Sequence, residues 1–129
     1  MRTLIILFAF ILTIEANNIL WFSNFDLAHH EAVKNSKKLM VLLIEKNPTQ
    51  NKNTLINVFM NQDYIDEINE EYISVLITKD QDSSYPIEML YTNEYPSLFF
   101  LNNLEIYICE PIRGGITSDR LKAHLVKCK

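Results

Sequence analysis

The feature that most constrains the fold is a pair of apolar β-forming segments separated by segments with helical periodicity. Leu39–Glu45 is almost entirely apolar, and Tyr72–Thr78 ("YISVLIT") repeats that character further along the chain. Strands of this composition have to be covered on both faces, as in parallel sheets. Because helix-length segments separate the strands, we expect right-handed crossovers that make neighbouring strands parallel. The sequence therefore predicts an α/β domain with a central sheet between helices.

The helices are predicted from apolar spacing and from residues suited to helix ends. Asn24, Asp63 and Ser118 are the candidate N-caps of the first, middle and last helical segments. The middle segment fits either one kinked helix or two short ones. The residues expected to face inward are Phe25, Ala28, Ala32 and Val33 in the first segment, Leu55, Val58, Phe59, Ile65 and Ile68 in the middle, and Leu121, Leu125 and Val126 in the last.

The remaining elements complete the order β-α-β-α-β-α-β-β-α, with a mixed sheet of four or five strands. Ile19–Phe22 is a short candidate strand, and a short helix is expected around Ile87–Tyr91. "YPSLFFLNNLEIYICE" is typical of a β-hairpin with Asn102-Asn103 at its turn, since Asn tolerates positive φ. Pro111 then indicates that the second strand lies at the sheet edge, because proline has no backbone N–H to donate to a neighbouring strand.

The first sixteen residues are typical of an export signal, which predicts residues 17–129 as a single domain. Arg2 precedes the apolar run Leu4–Ile14, and "IEA" offers Ala16 as the last residue before cleavage. The run is shorter than the roughly 20 residues that a spanning helix needs. We therefore expect a periplasmic or secreted protein with no stable membrane span once the signal is removed, the alternative being an uncleaved N-terminal anchor.

Composition and charge argue against several classes of function. The net charge of −4 and the absence of a Lys/Arg cluster argue against a nucleic-acid partner. His29 and His30 diverge by about 100° on a helix, so they cannot chelate one metal together. The acidic run Asp63–Glu71 lacks the alternating ligand spacing of a calcium loop. We expect neither a metal nor a cofactor.

Four segments, in this order, resemble exported thioredoxin-like proteins across residues 20–127. "WFSNFDLAHHEAVKNSKKLMVLL" is similar to their entry segment, and "VFMNQDYIDEINEEYISVLI" to the end of their active-site helix and the strand beyond it. "EYPSLFFLNN" resembles their "YPT-x-x-F-F-L-D" signature, with Pro96 at the position of the cis-proline. "RGG" matches the Gly that ends their edge strand. The resemblance implies the thioredoxin fold.

The resemblance also implies that the redox motif of these proteins is replaced. Their Cys-x-x-Cys begins the helix that ends at the equivalent of Phe59, which corresponds here to Pro48-Thr49-Gln50-Asn51. No Cys occurs between Asn17 and Ile108. The standard chemistry needs a thiolate activated by the helix N-terminus and a second thiol to resolve the mixed disulfide. Leu42 also falls about where many thioredoxins carry a buried carboxylate. Both differences argue against a conventional oxidoreductase.

Three hypotheses for the function remain open. In thioredoxin-like proteins the cis-proline loop pairs with an extended peptide, which needs no thiol. The corresponding groove is expected to be formed by Pro48, Thr49, Gln50, Asn51, Tyr95, Pro96 and Ser97. The first hypothesis is a non-catalytic module that binds a protein or extended peptide there. The alternatives are an atypical thiol-disulfide oxidoreductase using Cys109 and Cys128, and a structural subunit of an envelope complex.

Cys109 and Cys128 are the candidates for a disulfide. Cys109 lies in the predicted edge strand and Cys128 at the end of the last helix. Strand residues 109–114 rise at about 3.3 Å each and helix residues 118–128 at about 1.5 Å each, so the two legs between the cysteines have similar lengths. The sulfurs can then meet if the helix runs back along the strand. Such a bond would stabilise the domain by about 3 kcal/mol. Two unpaired thiols and a reactive redox pair are the other interpretations.

Overall fold

The computed structural model describes residues 18–46, 52–79, 85–86, 88 and 90–129. In them, five strands form one mixed sheet in the order β1-β3-β2-β4-β5. These are β1 (Trp21–Phe22), β2 (Lys38–Ile44), β3 (Tyr72–Thr78), β4 (Ser97–Leu101) and β5 (Ile112–Arg113). β2 is parallel to β3 and antiparallel to β4. The predicted mixed α/β sheet is confirmed, while the predicted signal peptide, residues 1–16, lies outside the described residues.

Helices cover both faces of this sheet, as the apolar strands require. The described helices are α1 (Phe25–Asn35), α2 (Lys52–Phe59), α3 (Gln62–Glu71) and α4 (Ser118–Lys127). α1 packs on the face that carries Leu39, Val41 and Leu43, whereas α2, α3 and α4 pack on the opposite face. None of these described helices is long and apolar enough to cross a bilayer.

β2 forms the centre of the hydrophobic core. Its five inner residues are all buried, alternating between the two faces. Burying each such side chain contributes about 1.5–3 kcal/mol. Leu42 is 4% exposed and packs with Met40, Leu98 and Phe100. An apolar side chain thus fills the position where the resemblance places a carboxylate.

Two of the three predicted helix caps are wrong by one or two residues. Asn24 caps α1 as expected, its side chain accepting from the Leu27 amide at 3.0 Å. Asn61 rather than Asp63 caps α3, and Thr117 rather than Ser118 caps α4. The cap must be the last residue with extended backbone before the first turn. Asp63 instead lies in that turn, where its negative charge is favourable.

Two of the residues expected to face inward are exposed instead. Val33 on α1 is 52% exposed and Val126 on α4 is 72% exposed, whereas Leu121 and Leu125 on α4 are buried as predicted. Leu121, Leu125 and Cys128 are the inward positions, at spacings of four and three residues that keep one side of a helix in register.

The predicted hairpin is wider and less regular than expected. Directly after β4, the chain forms one isolated bridge between Leu101 and Tyr107, and its regular antiparallel pairing with β4 is made only at β5. At the turn, the Asn102 side chain accepts from the amides of Leu104 and Ile106 at 2.8 and 3.0 Å. Positive φ falls on Glu105 (62°) rather than on the two asparagines. We call residues 102–111, between β4 and β5, the broad loop. Because of it, the edge strand begins only at Ile112, after Pro111.

The segment between β3 and β4 is only partly described. Of the helix predicted around Ile87–Tyr91, residues 87 and 89 lie outside the described residues. Glu88 and Leu90 lie in turns, and the Leu90 amide donates to the Pro86 carbonyl at 3.0 Å. Leu90 is 1% exposed and packs against the face that α1 covers. The segment is thereby anchored to the sheet beside the cis-proline loop.

Candidate functional site

The candidate site is the loop from Thr92 to Ser97, which we call the cis-proline loop because the Tyr95–Pro96 peptide bond is cis. Ser97 opens β4 and pairs with Leu43, close to the end of β2. The loop therefore lies at the carboxyl edge of the parallel strands β2 and β3, where α/β proteins place ligands.

Two buried hydroxyl groups fix the inner side of this loop. Thr92 Oγ1 accepts from the Glu94 amide at 3.1 Å and lies 3.1 Å from Ser97 Oγ. Both hydroxyls donate to the Glu94 carbonyl, at 3.0 Å from Thr92 and 2.6 Å from Ser97. Thr92 and Ser97 are 5% and 0% exposed, so these bonds satisfy groups that are costly to bury alone. They fold the chain back on itself immediately before β4.

The outer side of the loop is held by the chain that follows β5. The Gly114 amide donates to the Pro96 carbonyl at 2.9 Å. One Arg120 Nη1 atom donates to the carbonyls of Gly114 and Gly115, both at 2.9 Å. The two glycines have φ of 67° and 53°, a conformation that disfavours other residues. Arg120 thus connects α4 to the loop through Gly114.

Tyr95 has backbone groups that are available to a partner, and Asn93 and Glu94 before it are exposed. Its side chain is half-buried, and Lys79 Nζ lies 5.1 Å from its ring centroid. Within the described part of the chain, the backbone N–H and C=O of Tyr95 make no hydrogen bond. An amide and a carbonyl without a ladder partner are what an added strand needs.

A cavity of about 270 Å³ opens beside Tyr95. Its walls combine aromatic, apolar and polar side chains. They belong to Leu43, Lys79, Tyr85, Leu90, Tyr91, Thr92, Asn93 and Tyr95. The cavity therefore shares the Tyr95 ring with the loop, on the side of the sheet that α1 covers.

Three of the seven groove residues expected from the sequence lie in the described part of the chain. Tyr95, Pro96 and Ser97 are consecutive in the loop, but the Ser97 side chain points inward to Thr92 and Glu94. Only the backbone of Ser97 can therefore belong to a groove surface. Pro48, Thr49, Gln50 and Asn51 lie outside the described residues, so their place in the groove stays a prediction.

Cys109 and Cys128 form a disulfide, with Cα atoms 5.5 Å apart. The bond joins the broad loop after β4 to the end of α4. Cys128 is 1% exposed, whereas Cys109 is half-buried beside an open depression that Tyr107 and Arg113 also border. Burial raises the pKa of Tyr107 there, while the Arg113 charge opposes that rise. The predicted pairing is confirmed, and the pair occupies a different part of the molecule from Tyr95.

Two of the three histidines, His29 and His124, have structural partners. His29 Nε2 lies 2.8 Å from the Asn103 carbonyl and Nδ1 3.4 Å from Glu105 Oε1, which ties α1 to the broad loop. His124 stacks on Phe100. Among the described residues, no three His, Cys, Asp or Glu side chains are grouped so that they could hold a metal ion.

Sequence reasoning missed Lys79 and Arg120. Lys79 directly follows β3 at the carboxyl edge of the sheet. A polar residue directly after a buried parallel strand is a signal of a binding site, and it could have identified Lys79. Arg120 carries no such signal, because an exposed arginine in the first turn of a helix is common and its contacts with the two glycines arise only on folding.

Comparisons with known proteins show the fold. No family model matches the chain, and no curated protein matches it. Solved structures do match, among them one titled DsbH oxidoreductase, with a TM-score of 0.64 and 11% sequence identity. The match covers 90% of this chain and 88% of that chain. The protein therefore has a thioredoxin-like fold.

Proposed function

We propose that this thioredoxin-fold protein is an exported, non-catalytic module that binds an extended segment of a partner protein at the cis-proline loop. The observation that carries the proposal is the Tyr95 backbone, which has no hydrogen-bond partner within the described residues although both sides of its loop are fixed. A preorganised strand-like segment lowers the conformational cost of pairing with a peptide.

The chemistry of the chain supports binding rather than thiol exchange at this edge of the sheet. The segment Pro48–Asn51, which the resemblance aligns with Cys-x-x-Cys, has no thiol. Exchange requires a thiolate as its nucleophile. Pairing of backbone groups requires only the amide and carbonyl that Tyr95 supplies.

Export is supported by two independent features. The apolar N-terminal run and Ala16 fit a cleaved signal peptide. The Cys109–Cys128 disulfide is typical of proteins in oxidising compartments. We propose that the domain 17–129 acts in the periplasm or outside the cell.

The test combines a capped peptide library with amide chemical shifts of the disulfide-bonded protein. Peptides that bind should shift the amides of Asn93, Tyr95 and Ser97, and they should slow the hydrogen exchange of the Tyr95 amide, because a peptide carbonyl then accepts from it. Leu104→Ala is the matched control, since Leu104 is 72% exposed at the opposite end of β4, and it should leave both effects unchanged. Shifts confined to the loop around Leu104, or unchanged exchange of the Tyr95 amide when a peptide is bound, would refute the proposal.

The second candidate function is thiol-disulfide exchange through Cys109 and Cys128. The half-buried Cys109 beside an open depression favours it, because an attacking thiolate could reach that sulfur. In one turnover a partner dithiol would become a disulfide while Cys109 and Cys128 became two thiols, with two electrons transferred. Equilibration with redox buffers of graded potential tests this. The disulfide of a catalyst is reduced near the potentials of exchange enzymes, about −270 to −120 mV, whereas a structural disulfide stays oxidised until the potential falls below about −300 mV.

A further inference from the structure

The cavity beside Tyr95 has polar walls that mainly donate hydrogen bonds. The Tyr91 hydroxyl donates to Asn93 Oδ1 at 2.8 Å, so the amide of this lining residue keeps its two Nδ2 hydrogens as donors. Thr92 directs its hydroxyl away, to Glu94 and Ser97. The Asn93 amide and the Lys79 ammonium are therefore donor groups at the cavity, together with the hydroxyl groups of Tyr85 and Tyr95.

The cavity also has a positive charge at its wall. Lys79 is the one residue with a charged side chain among the described residues that line it. Its ammonium lies over the ring of Tyr95, 5.1 Å from the centroid. The charge is therefore placed next to a side chain of the cis-proline loop. An ionised carboxylate only accepts hydrogen bonds and carries the opposite charge. It is thus the side-chain group that complements these walls.

The volume restricts the size of the occupant. At about 270 Å³ the cavity is smaller than the roughly 300–1,000 Å³ of small-molecule pockets, and a single side chain suits it better. In an extended peptide, alternate side chains point to the same side. A strand paired with the Tyr95 backbone would therefore direct one of its side chains towards the cavity.

We propose that the cavity binds the carboxylate side chain of a glutamate or aspartate in the extended partner segment, with Lys79 and Asn93 as the residues that determine this specificity. The inference rests on the proposed function, because the peptide backbone is held by Tyr95. It adds the class of partner: a segment with an acidic residue at one fixed position relative to the residue paired with Tyr95.

The test is a positional-scanning library of octapeptides that are acetylated and amidated, so that only side chains carry charge. Wild-type protein should prefer Glu or Asp at one position by about fivefold over Gln or Asn. Lys79→Met keeps the apolar stem and should abolish the preference while retaining binding. Lys79→Glu should reverse it in favour of Lys or Arg, and Asn93→Asp should weaken acidic peptides selectively. Lys127→Met, an exposed lysine on α4, is the matched control.

The outcomes separate this inference from the proposed function. Peptides that bind through Tyr95 without an acidic preference, or with one that Lys79→Met leaves intact, would overturn the inference alone. Absence of any peptide binding that protects the Tyr95 amide from hydrogen exchange would overturn both. A peptide can also offer a carboxylate at its C-terminus, which a parallel library with free C-termini tests. If only that terminal carboxylate gives the Lys79-dependent preference, the side-chain proposal is wrong.

Discussion

The Gly114 amide donates a hydrogen bond to the Pro96 carbonyl across 2.9 Å. Through this bond, a glycine after the edge strand holds the proline of the candidate site, and Arg120 holds that glycine. The contact is between residues far apart in the sequence, and it makes the cis-proline loop depend on α4. Three of the predictions below concern α4, the chain that leads into it or the bond at its end.

Arg120→Gln should loosen the cis-proline loop without unfolding the domain. The substitution removes two charge-assisted bonds to carbonyls, and we expect a loss of about 1 kcal/mol in the free energy of unfolding. The Gly114 amide should exchange its hydrogen faster, as measured by NMR. Lys122→Gln is the control on the same helix, because Lys122 pairs with Asp63 at the surface. Equal exchange rates of Gly114 in the two variants would contradict the role of Arg120.

Gly114→Ala should destabilise the protein mainly through its backbone. At φ of 67° an L-residue is strained, which costs about 1–2 kcal/mol. The added Cβ would also lie 3.3 Å from Glu94 Oε2, a flexible and exposed side chain that can move. Urea denaturation should therefore show nearly the same loss when Gly114→Ala is introduced into Glu94→Ala. Full recovery in that background would mean that the Glu94 contact, not the backbone, sets the cost.

Removal of the disulfide should lower the free energy of unfolding by about 3 kcal/mol. The bond closes a loop of 19 residues, which restricts the unfolded chain. We expect Cys109→Ser with Cys128→Ser to unfold at lower urea than the oxidised wild type. Reduced wild type is the control, since it keeps both sulfurs in place. A difference below about 1 kcal/mol from oxidised protein would show that the loop is already constrained without the bond.

Stability should fall steeply at alkaline pH. Burial, with the nearby charges of Glu71 and Glu67, raises the pKa of Tyr72 to about 12. Burial likewise raises the pKa of Tyr64 and Tyr107. Above the unfolded value of 10.0 the unfolded chain loses these protons before the folded protein does, so the free energy of unfolding falls as pH rises from about 10 to about 12. Below about pH 10 these tyrosines are protonated in both the folded and the unfolded state, so the free energy of unfolding keeps their full contribution.

Urea denaturation between about pH 9 and about pH 11 measures this fall. Tyr72→Phe removes the largest shift and should give a shallower dependence on pH than the wild type. Tyr91→Phe is the control, because Tyr91 is 64% exposed. If the free energy of unfolding fell with pH at the same slope in wild type and Tyr72→Phe, Tyr72 would not titrate in this range.

The sheet could be predicted because its signal is local. The apolar runs of β2 and β3 define central strands, and helical spacing between them requires parallel crossovers. The caps were harder, since Thr117 and Ser118 carry the same functional group and only the extended backbone of Thr117 distinguishes them. At the broad loop the side chain of Asn102, rather than a positive φ at that residue, stabilises the turn.

The candidate site was predicted only in part because its contacts join distant segments. Tyr95 and Pro96 were found through a motif that is continuous in the sequence. Lys79 reaches the Tyr95 ring only when the end of β3 is folded beside the loop. Arg120 reaches Gly114 and Gly115 only when α4 starts in its final direction. No spacing rule within one element predicts either contact.

The disulfide also determines how this chain would respond to mechanical force. If the protein is pulled from its two ends, the segment between Cys109 and Cys128 stays off the force-bearing path, because the covalent bridge carries the load. At about 3.5 Å per extended residue, its 19 residues would withhold roughly 65 Å of contour length until a reductant is added. That withheld segment contains α4 with Arg120, so the helix that supports the cis-proline loop is the part of the fold shielded from tension.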